Sequence, residues 1–256
     1  MYIRNPIYGG IGNGTRLNLF AINEWDWQPG GFNAEYGDAM SAVSNLHTMT
    51  GGSKFSYKFK YETSMVGAAI GSHYDELRGY NDYNLGFGAP FPFINKLKYW
   101  ISGQYSEYEN YRVYQFDSTA YIQNDPQNII NKQNMLQPWD DEVGFRGFGH
   151  DKTWDIFGKL TYNPTNKIRL NFSYWLVAAH RKIFSSSFQY WDIGQNEIFR
   201  DTDRYAFEWN HTLSAKTFYS FRYSRFQQNA FAGVRWNDSD GDGYPDWFEW
   251  SHGAGG

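Results

Sequence analysis

The residues whose types and spacing could do chemistry lie in the acidic stretch 238–249. Its carboxylates occupy positions 1, 3, 5, 9 and 12 of a twelve-residue loop, with Gly243 at position 6. This is the spacing of an EF-hand calcium loop, in which a hard cation takes oxygen ligands. We predict a structural Ca²⁺ site that stiffens a long loop, with the ligands Asp238, Asp240, Asp242, Tyr244 (through its backbone carbonyl), Asp246 and Glu249. The open alternative is an acidic surface turn, since Asp and Gly are common in turns.

Other kinds of chemistry have less support in the sequence. The chain has no cysteine, which excludes disulfides and thiolate chemistry. Its six histidines, at positions 47, 73, 150, 180, 211 and 252, show no spacing that places ligands on one face. No Ser-His-Asp set can be identified, so we expect a protein that is not an enzyme. The formal net charge of −4 argues against a nucleic-acid partner.

The elements that would position functional groups are predicted to be β-strands. From Phe55 onward, apolar and mostly aromatic residues alternate with polar ones, and period two is the strand signature. Aromatic residues make up 21% of the 256 residues. No apolar run approaches the roughly 18 residues that a membrane helix needs. The alternation predicts seven strands, over 55–61, 83–87, 97–106, 154–162, 168–176, 205–213 and 217–227.

The connections between the predicted strands alternate in length. Tight turns are expected at 163–167 and 214–216, whereas 65–79, 109–152, 180–202 and 228–256 are long. Short turns at one end and long loops at the other are typical of an outer-membrane β-barrel.

The two faces of the predicted strands differ in chemistry. Aromatic residues near strand ends could form interfacial girdles, and charges on the other face could line a wet lumen. The girdle residues are Trp154, Tyr162, Tyr174, Trp209 and Tyr219, and the charged residues are Lys58, Lys98, Lys159, Arg169, Glu208 and Arg222. Antiparallel sandwiches and soluble barrels alternate in the same way, so a solvated sheet face remains the alternative.

Residues 30–52 carry a motif of their own. A glycine pair is followed by a hydrophobe, an Ala-Glu-Tyr-Gly run and a strand-like stretch that ends at a second glycine pair. This order resembles the end of the plug domain of TonB-dependent outer-membrane receptors, and the stretch 21–27 is similar to the plug strand that precedes it. Ala42 departs from the glycine that the family usually has there. The motif residues are Gly30, Gly31, Phe32, Ala34, Glu35, Tyr36, Gly37 and Asn45.

The resemblance implies the domain division. Residues 1–52 would be the C-terminal part of a plug domain, and 53–256 the N-terminal part of a transmembrane β-barrel with long extracellular loops. The fold class would be all-β, a partial antiparallel transmembrane barrel preceded by the end of a plug. Because a family barrel has about 22 strands, we expect the chain to be a fragment with about seven of them. The motif itself would form a tight turn docked against the barrel wall, with Glu35 paired to an inward Arg or Lys.

The resemblance also implies function and partners. A receptor of this family, located in the bacterial outer membrane, imports a small-molecule, oligosaccharide or peptide ligand. Its partners would be outer-membrane lipid, the TonB energy-transducing complex (through an N-terminal segment missing from this sequence) and a surface lipoprotein.

Two other functions remain open at this point. The first is a small outer-membrane or secreted β protein that binds carbohydrate through aromatic loops. The second is an outer-membrane barrel enzyme such as a lipase or protease, which would need a nucleophile–base pair.

Overall fold

Antiparallel β-sheet makes up most of the chain, so the all-β prediction is confirmed. The structure is a computed structural model that describes residues 18–28, 43–94, 96–116, 144–188, 195–235 and 247–249. The strands are β1 (Ile22–Gln28), β2 (Val43–Thr48), β3 (Ser56–Thr63), β4 (Asn81–Pro90), β5 (Leu97–Tyr108), β6 (Arg112–Phe116), β7 (Gly144–Phe148), β8 (His150–Thr165), β9 (Ile168–Lys182), β10 (Glu197–Ser214), β11 (Thr217–Arg235) and β12 (Trp247–Glu249). Two short helices, α1 (Met65–Ala69) and α2 (His73–Arg78), and 3₁₀ turns at Leu19–Ala21 and Ser186–Phe188 complete the described elements.

One eight-stranded antiparallel sheet dominates the fold. Its strand order is β3-β4-β5-β8-β9-β10-β11-β12. Six of the seven stretches with alternating residues lie wholly within a strand of this sheet, and the seventh, 55–61, begins one residue before β3, so the predicted strands are confirmed. Along the sheet from β3 to β11, each strand pairs antiparallel with the next. Among the described residues, the edge strands β3 and β12 are not paired with each other, so the sheet is open.

The connections of this sheet differ in length at its two ends. At one end the strands are joined by short connections, including the two-residue turns 166–167 and 215–216. At the other end lie the longer connections 64–80, 109–149 and 183–196. The predicted alternation of short turns and long loops is therefore confirmed.

The predicted loops are shorter and more structured than expected. The stretch 65–79 holds α1 and α2, and 109–152 contains the β6–β7 hairpin and the start of β8. Much of 180–202 belongs to β9 and β10, because the hydrogen-bonded ladder continues through polar residues where the apolar alternation stops. Helix α2 was missed because it is short and depends on local caps: the Ser72 hydroxyl accepts from the Asp75 amide, and Gly79 ends it in the left-handed region.

The described N-terminal segment, residues 18–28 and 43–50, packs on one face of the large sheet. Its strands β1 and β2 pair antiparallel with each other, and the Met49 amide donates to the Ala21 carbonyl. The buried core lies between this segment and the sheet. It consists of Ala21, Trp100, Phe157, Trp175 and Val177, with Met49 packed against them.

Candidate functional site

The large sheet has one apolar face. Because side chains that are paired across an antiparallel ladder share a face, the register places the aromatic residues of seven strands together. We call this surface the apolar belt; its members are Tyr57, Phe59, Tyr61, Tyr83, Leu85, Phe87, Tyr99, Ile101, Tyr105, Trp154, Ile156, Leu160, Tyr162, Leu170, Phe172, Tyr174, Leu176, Tyr205, Phe207, Trp209, Tyr219, Phe221 and Tyr223. All five predicted girdle residues belong to it.

The belt is exposed over much of its extent. The side chains of Phe59, Trp154 and Tyr223 are 64%, 55% and 57% exposed. Rings pack together along a row that crosses neighbouring strands. Tyr61 stacks on Tyr83 with centroids 4.7 Å apart, and Tyr105 packs at a tilted angle on Trp154 with centroids 4.2 Å apart. The belt therefore combines ordered aromatic packing with a surface that the described residues leave uncovered.

The opposite face of the sheet carries the predicted charges, together with the core residues Trp100, Phe157, Trp175 and Val177 beneath the N-terminal segment. By register, Lys58, Lys98, Lys159, Arg169, Glu208 and Arg222 all lie on it. Its centre holds buried polar side chains, including Asn84, Ser102 and Thr161. We call this surface the polar face.

The N-terminal segment contacts the polar face through specific hydrogen bonds. Asn18 Nδ2 donates to Asp155 Oδ1 over 2.8 Å, and both residues are buried. Trp100 Nε1 donates to the carbonyl of Phe20 over 2.9 Å. At the other end of the segment, Lys159 Nζ donates to Thr48 Oγ1 over 2.9 Å. These bonds come from β5 and β8 and hold the segment on the side away from the belt.

Two glycines allow the backbones to approach closely here. A Cβ at Gly86 on β4 would lie 2.9 Å from Trp100 Cζ2 and 3.1 Å from Phe20 Cβ. A Cβ at Gly51 would collide with the Tyr99 carbonyl oxygen. Any larger residue at Gly51 would push the chain away from β5 where it leaves the N-terminal segment.

A second polar site lies beyond the belt, at the end of the sheet with the long connections. His150 begins β8, His180 lies near the end of β9, and Glu197 begins β10. We call these residues the histidine cluster. The two Nε2 atoms are 3.1 Å apart, and Glu197 Oε2 lies 2.7 Å from His180 Nε2 and 3.7 Å from His150 Nε2.

The surroundings of the histidine cluster restrict its side chains. The His180 ring stacks on Phe199 with centroids 4.0 Å apart, and the side chain of Glu197 is 10% exposed. Burial is the largest influence on His150 and lowers its pKa to about 4, against the opposing effect of the Glu197 carboxylate. This imidazole is therefore neutral at pH 7 and keeps a lone pair for a ligand.

The sequence interpretation missed this cluster. His150 and His180 fell inside the predicted loops 109–152 and 180–202, where side-chain facing was not considered. The β8–β9 register, which pairs His150 with Lys182 and Lys152 with His180, puts the two imidazoles on adjacent strands and on one face. Counting from the tight turn alone would not have revealed the pair, because the register shifts between Tyr162 and Thr165. Extending the ladder from the alternating residues, such as Leu160 opposite Phe172, would have revealed it.

The predicted motif and calcium residues fall mostly outside the described residues. This applies to Gly30, Gly31, Phe32, Ala34, Glu35, Tyr36 and Gly37, and to Asp238, Asp240, Asp242, Tyr244 and Asp246. Asn45 lies in β2, where its backbone is opposite Asp26, and Glu249 ends β12 opposite Gly233. Both predicted sites stay predictions.

Comparisons with known proteins identify no relative. The chain matches no protein-family model, no curated protein and no solved structure. None of the described helices is both long and apolar enough to cross a membrane.

Proposed function

We propose that the chain is part of a TonB-dependent outer-membrane receptor that imports a small-molecule, oligosaccharide or peptide ligand. In this proposal the strands β3–β5 and β8–β11 are the first strands of a transmembrane β-barrel, and the N-terminal segment is the end of the plug. The observation that carries the proposal is the contrast between the two sides of one sheet. An exposed apolar belt covers one side, and the N-terminal segment is hydrogen-bonded to the other.

The size of the belt favours contact with lipid. More than twenty apolar and aromatic side chains, many of them about half exposed, give a surface on the order of 1,000 Å² that the described part of the chain leaves uncovered. At about 25 cal/mol per Å², its contact with water would cost on the order of 25 kcal/mol. Soluble monomers rarely expose contiguous apolar patches larger than a few hundred Å². A hydrocarbon environment removes this cost.

The inclination of the belt agrees with strands that are tilted in a barrel. On β3, the edge of the belt nearest the long connections is Tyr61. The residues paired with one another across the sheet in line with Tyr61 lead to Asn229 on β11. On β11 the same edge of the belt is Tyr223. Relative to the row of paired residues, the edge has therefore moved by six residues (229 − 223) over the six steps from β3 to β11, mostly between β9 and β11. With about 3.3 Å per residue and about 4.8 Å between strands, this corresponds to a tilt of about 35°. Strands of transmembrane barrels tilt by about 35–45°.

The contacts of the N-terminal segment suit a plug. In a receptor of this kind, polar groups inside the barrel hold a plug that closes the lumen. Asp155, Lys159 and Trp100 make such contacts with residues 18–20 and 48. The energy for moving the plug would come from the TonB complex, and a surface lipoprotein could cover the long loops. The proposal assigns no catalytic step to the chain.

A second candidate function, carbohydrate binding, is favoured by one aromatic group near the long connections. Tyr114 is 42% exposed, and its ring centroid lies 5.0 Å from that of Phe184 and 6.1 Å from that of Phe148. Exposed rings of this kind can stack on sugars. In a small secreted protein this group would be the functional site, whereas in a receptor it would contact the ligand or its carrier.

Membrane fractionation and cross-linking test the proposal together. We expect the protein to sediment with the outer membrane of the cells that produce it. In those membranes, a short bifunctional thiol reagent should join the pair Thr48→Cys and Lys159→Cys, whose side chains meet on the polar face. The matched pair Thr48→Cys and Leu160→Cys should stay unlinked, because Leu160 belongs to the belt. A soluble protein, or equal linking of both pairs, would contradict the proposal, and the soluble result would favour the carbohydrate-binding alternative.

A further inference from the structure

The histidine cluster brings three metal-ligating side chains from three adjacent strands to one point. His150, His180 and Glu197 lie on the same face of β8, β9 and β10, at positions that are diagonal neighbours in the ladder. Among the residues that the structure describes, this is the one group of three His, Asp or Glu side chains whose ligand atoms all lie within 4.8 Å of one another.

The distances are close to those between ligands of one metal ion. Ligands that are about 2.0–2.2 Å from a zinc ion lie about 2.8–3.6 Å from one another at octahedral to tetrahedral angles. The three observed separations are 2.7, 3.1 and 3.7 Å. A small adjustment of flexible side chains would therefore place one ion within bonding distance of all three atoms.

Hydrogen bonding alone explains the arrangement less well. An imidazole Nε2 carries either one proton or one lone pair. His180 Nε2 lies within hydrogen-bonding distance of both His150 Nε2 and Glu197 Oε2, so a single proton would have to serve both contacts. A cation would satisfy all three atoms at once.

Neighbouring aromatic rings hold the ligands in place, whereas one neighbouring lysine opposes the binding of a cation. Stacking on Phe199 fixes the plane of the His180 ring, and the His150 ring meets it edge-on with centroids 4.4 Å apart. Lys152 is engaged by Glu107, with Nζ 2.7 Å from Oε1. Lys182 is opposite both His150 and Glu197 in the ladder, so its positive charge opposes a bound cation.

We propose that His150, His180 and Glu197 bind a divalent transition-metal ion, preferentially zinc. Two imidazoles and one carboxylate form a donor set that suits zinc and leaves a further coordination position for water. The ion would join β8, β9 and β10 just beyond the belt, at the base of the connection 183–196. This site is separate from the predicted calcium loop, whose ligands are all oxygens, and it does not depend on the proposed transport function.

Metal titration of the full chain in detergent tests the proposal. Calcium at millimolar concentration is added to fill oxygen-only sites, and zinc binding is then measured by calorimetry and cobalt binding by visible absorption. We expect one zinc ion per chain and a cobalt spectrum that includes nitrogen ligation. His180→Ala should abolish binding, Glu197→Gln should weaken it at least about tenfold, and Lys182→Met should strengthen it.

The matched control is His211→Ala, at the opposite end of β10, where Nδ1 contacts the Tyr219 hydroxyl at 2.6 Å. This variant should bind zinc like the unchanged protein. If His180→Ala does not fold, as judged by circular dichroism, His150→Ala provides the same test. Absence of zinc binding in the unchanged protein would overturn the proposal. Equal affinity in the folded cluster variants and the control would overturn it as well.

Discussion

Asn18 and Asp155 are hydrogen-bonded to each other in a buried position, although 137 residues separate them in the chain. The bond joins the N-terminal segment to the centre of β8, on the polar face. The preceding residue, Trp154, lies on the opposite face and is 55% exposed in the apolar belt. One strand therefore contacts the N-terminal segment with one side and offers an aromatic surface with the other.

Replacing Asn18 should release the start of the N-terminal segment. Asn18→Ala removes the donor to the buried Asp155 carboxylate, which should cost about 1–3 kcal/mol of local stability. The measurement is hydrogen–deuterium exchange of the amides in 18–28, and we expect exchange to become roughly 5- to 150-fold faster. Asn166→Ala, in the exposed β8–β9 turn, is the control and should leave this exchange unchanged. Unaltered exchange in Asn18→Ala would show that the bond does not hold the segment.

Trp100→Phe tests the second contact while keeping an aromatic ring in the core. Trp100 is 1% exposed, and its indole N–H donates to the Phe20 carbonyl. Loss of this bond and of the larger ring should destabilise the 3₁₀ turn at Leu19–Ala21 by about 1–3 kcal/mol. Faster amide exchange at Ala21 is the expected result. Tyr99→Phe, one residue earlier and on the belt, should have no effect there; if the two variants behave alike, the account of this face is wrong.

Lys159→Met tests the contact at the end of β2. The substitution keeps most of the side-chain volume but removes the donor to Thr48, so the β2 end of the segment should loosen by about 1–2 kcal/mol. Limited proteolysis near 48–52 should become faster in this variant. Lys167→Met, in the exposed turn, should be cleaved at the original rate. Equal rates for all three proteins would exclude a role for Lys159 in holding the segment.

The predicted calcium loop has its own test. Terbium luminescence should show binding to the full chain, because Tb³⁺ occupies oxygen-ligand sites of this size. The double substitution Asp240→Ala and Asp242→Ala should abolish the signal by removing two carboxylates at positions 3 and 5. Asp201→Ala with Asp203→Ala, two acids on β10 with the same spacing, should preserve it. Absence of binding at millimolar calcium or terbium would leave an acidic turn as the correct interpretation.

The sequence predicted the strands of the large sheet better than it predicted the docking of the N-terminal segment on that sheet. Alternation such as that of Trp154, Ile156 and Leu160 with polar neighbours identifies a strand and its faces, because the strand period is a local property. The bond between Asn18 and Asp155 depends on a docking that no local pattern encodes.

The histidine cluster was missed for a related reason. Its strands extend past the belt into polar residues, where alternation of apolar and polar side chains no longer marks the ladder. Only the β8–β9 pairing register, which shifts by one residue between Tyr162 and Thr165, relates His150 to His180. The β9–β10 register would have placed Glu197 beside them once β10 was extended to its observed start.

Lipid contact along β11 tests the central claim most directly. Because the chain has no cysteine, single cysteines at Phe221, Tyr223, Ser220 and Ser224 can each carry a fluorescent bimane label without background. In the membrane, lipids with a nitroxide-labelled acyl chain should strongly quench the labels at 221 and 223, which belong to the belt. The labels at 220 and 224, on the polar face, should be quenched several-fold less. Equal quenching at all four positions, or none at any of them, would contradict the account.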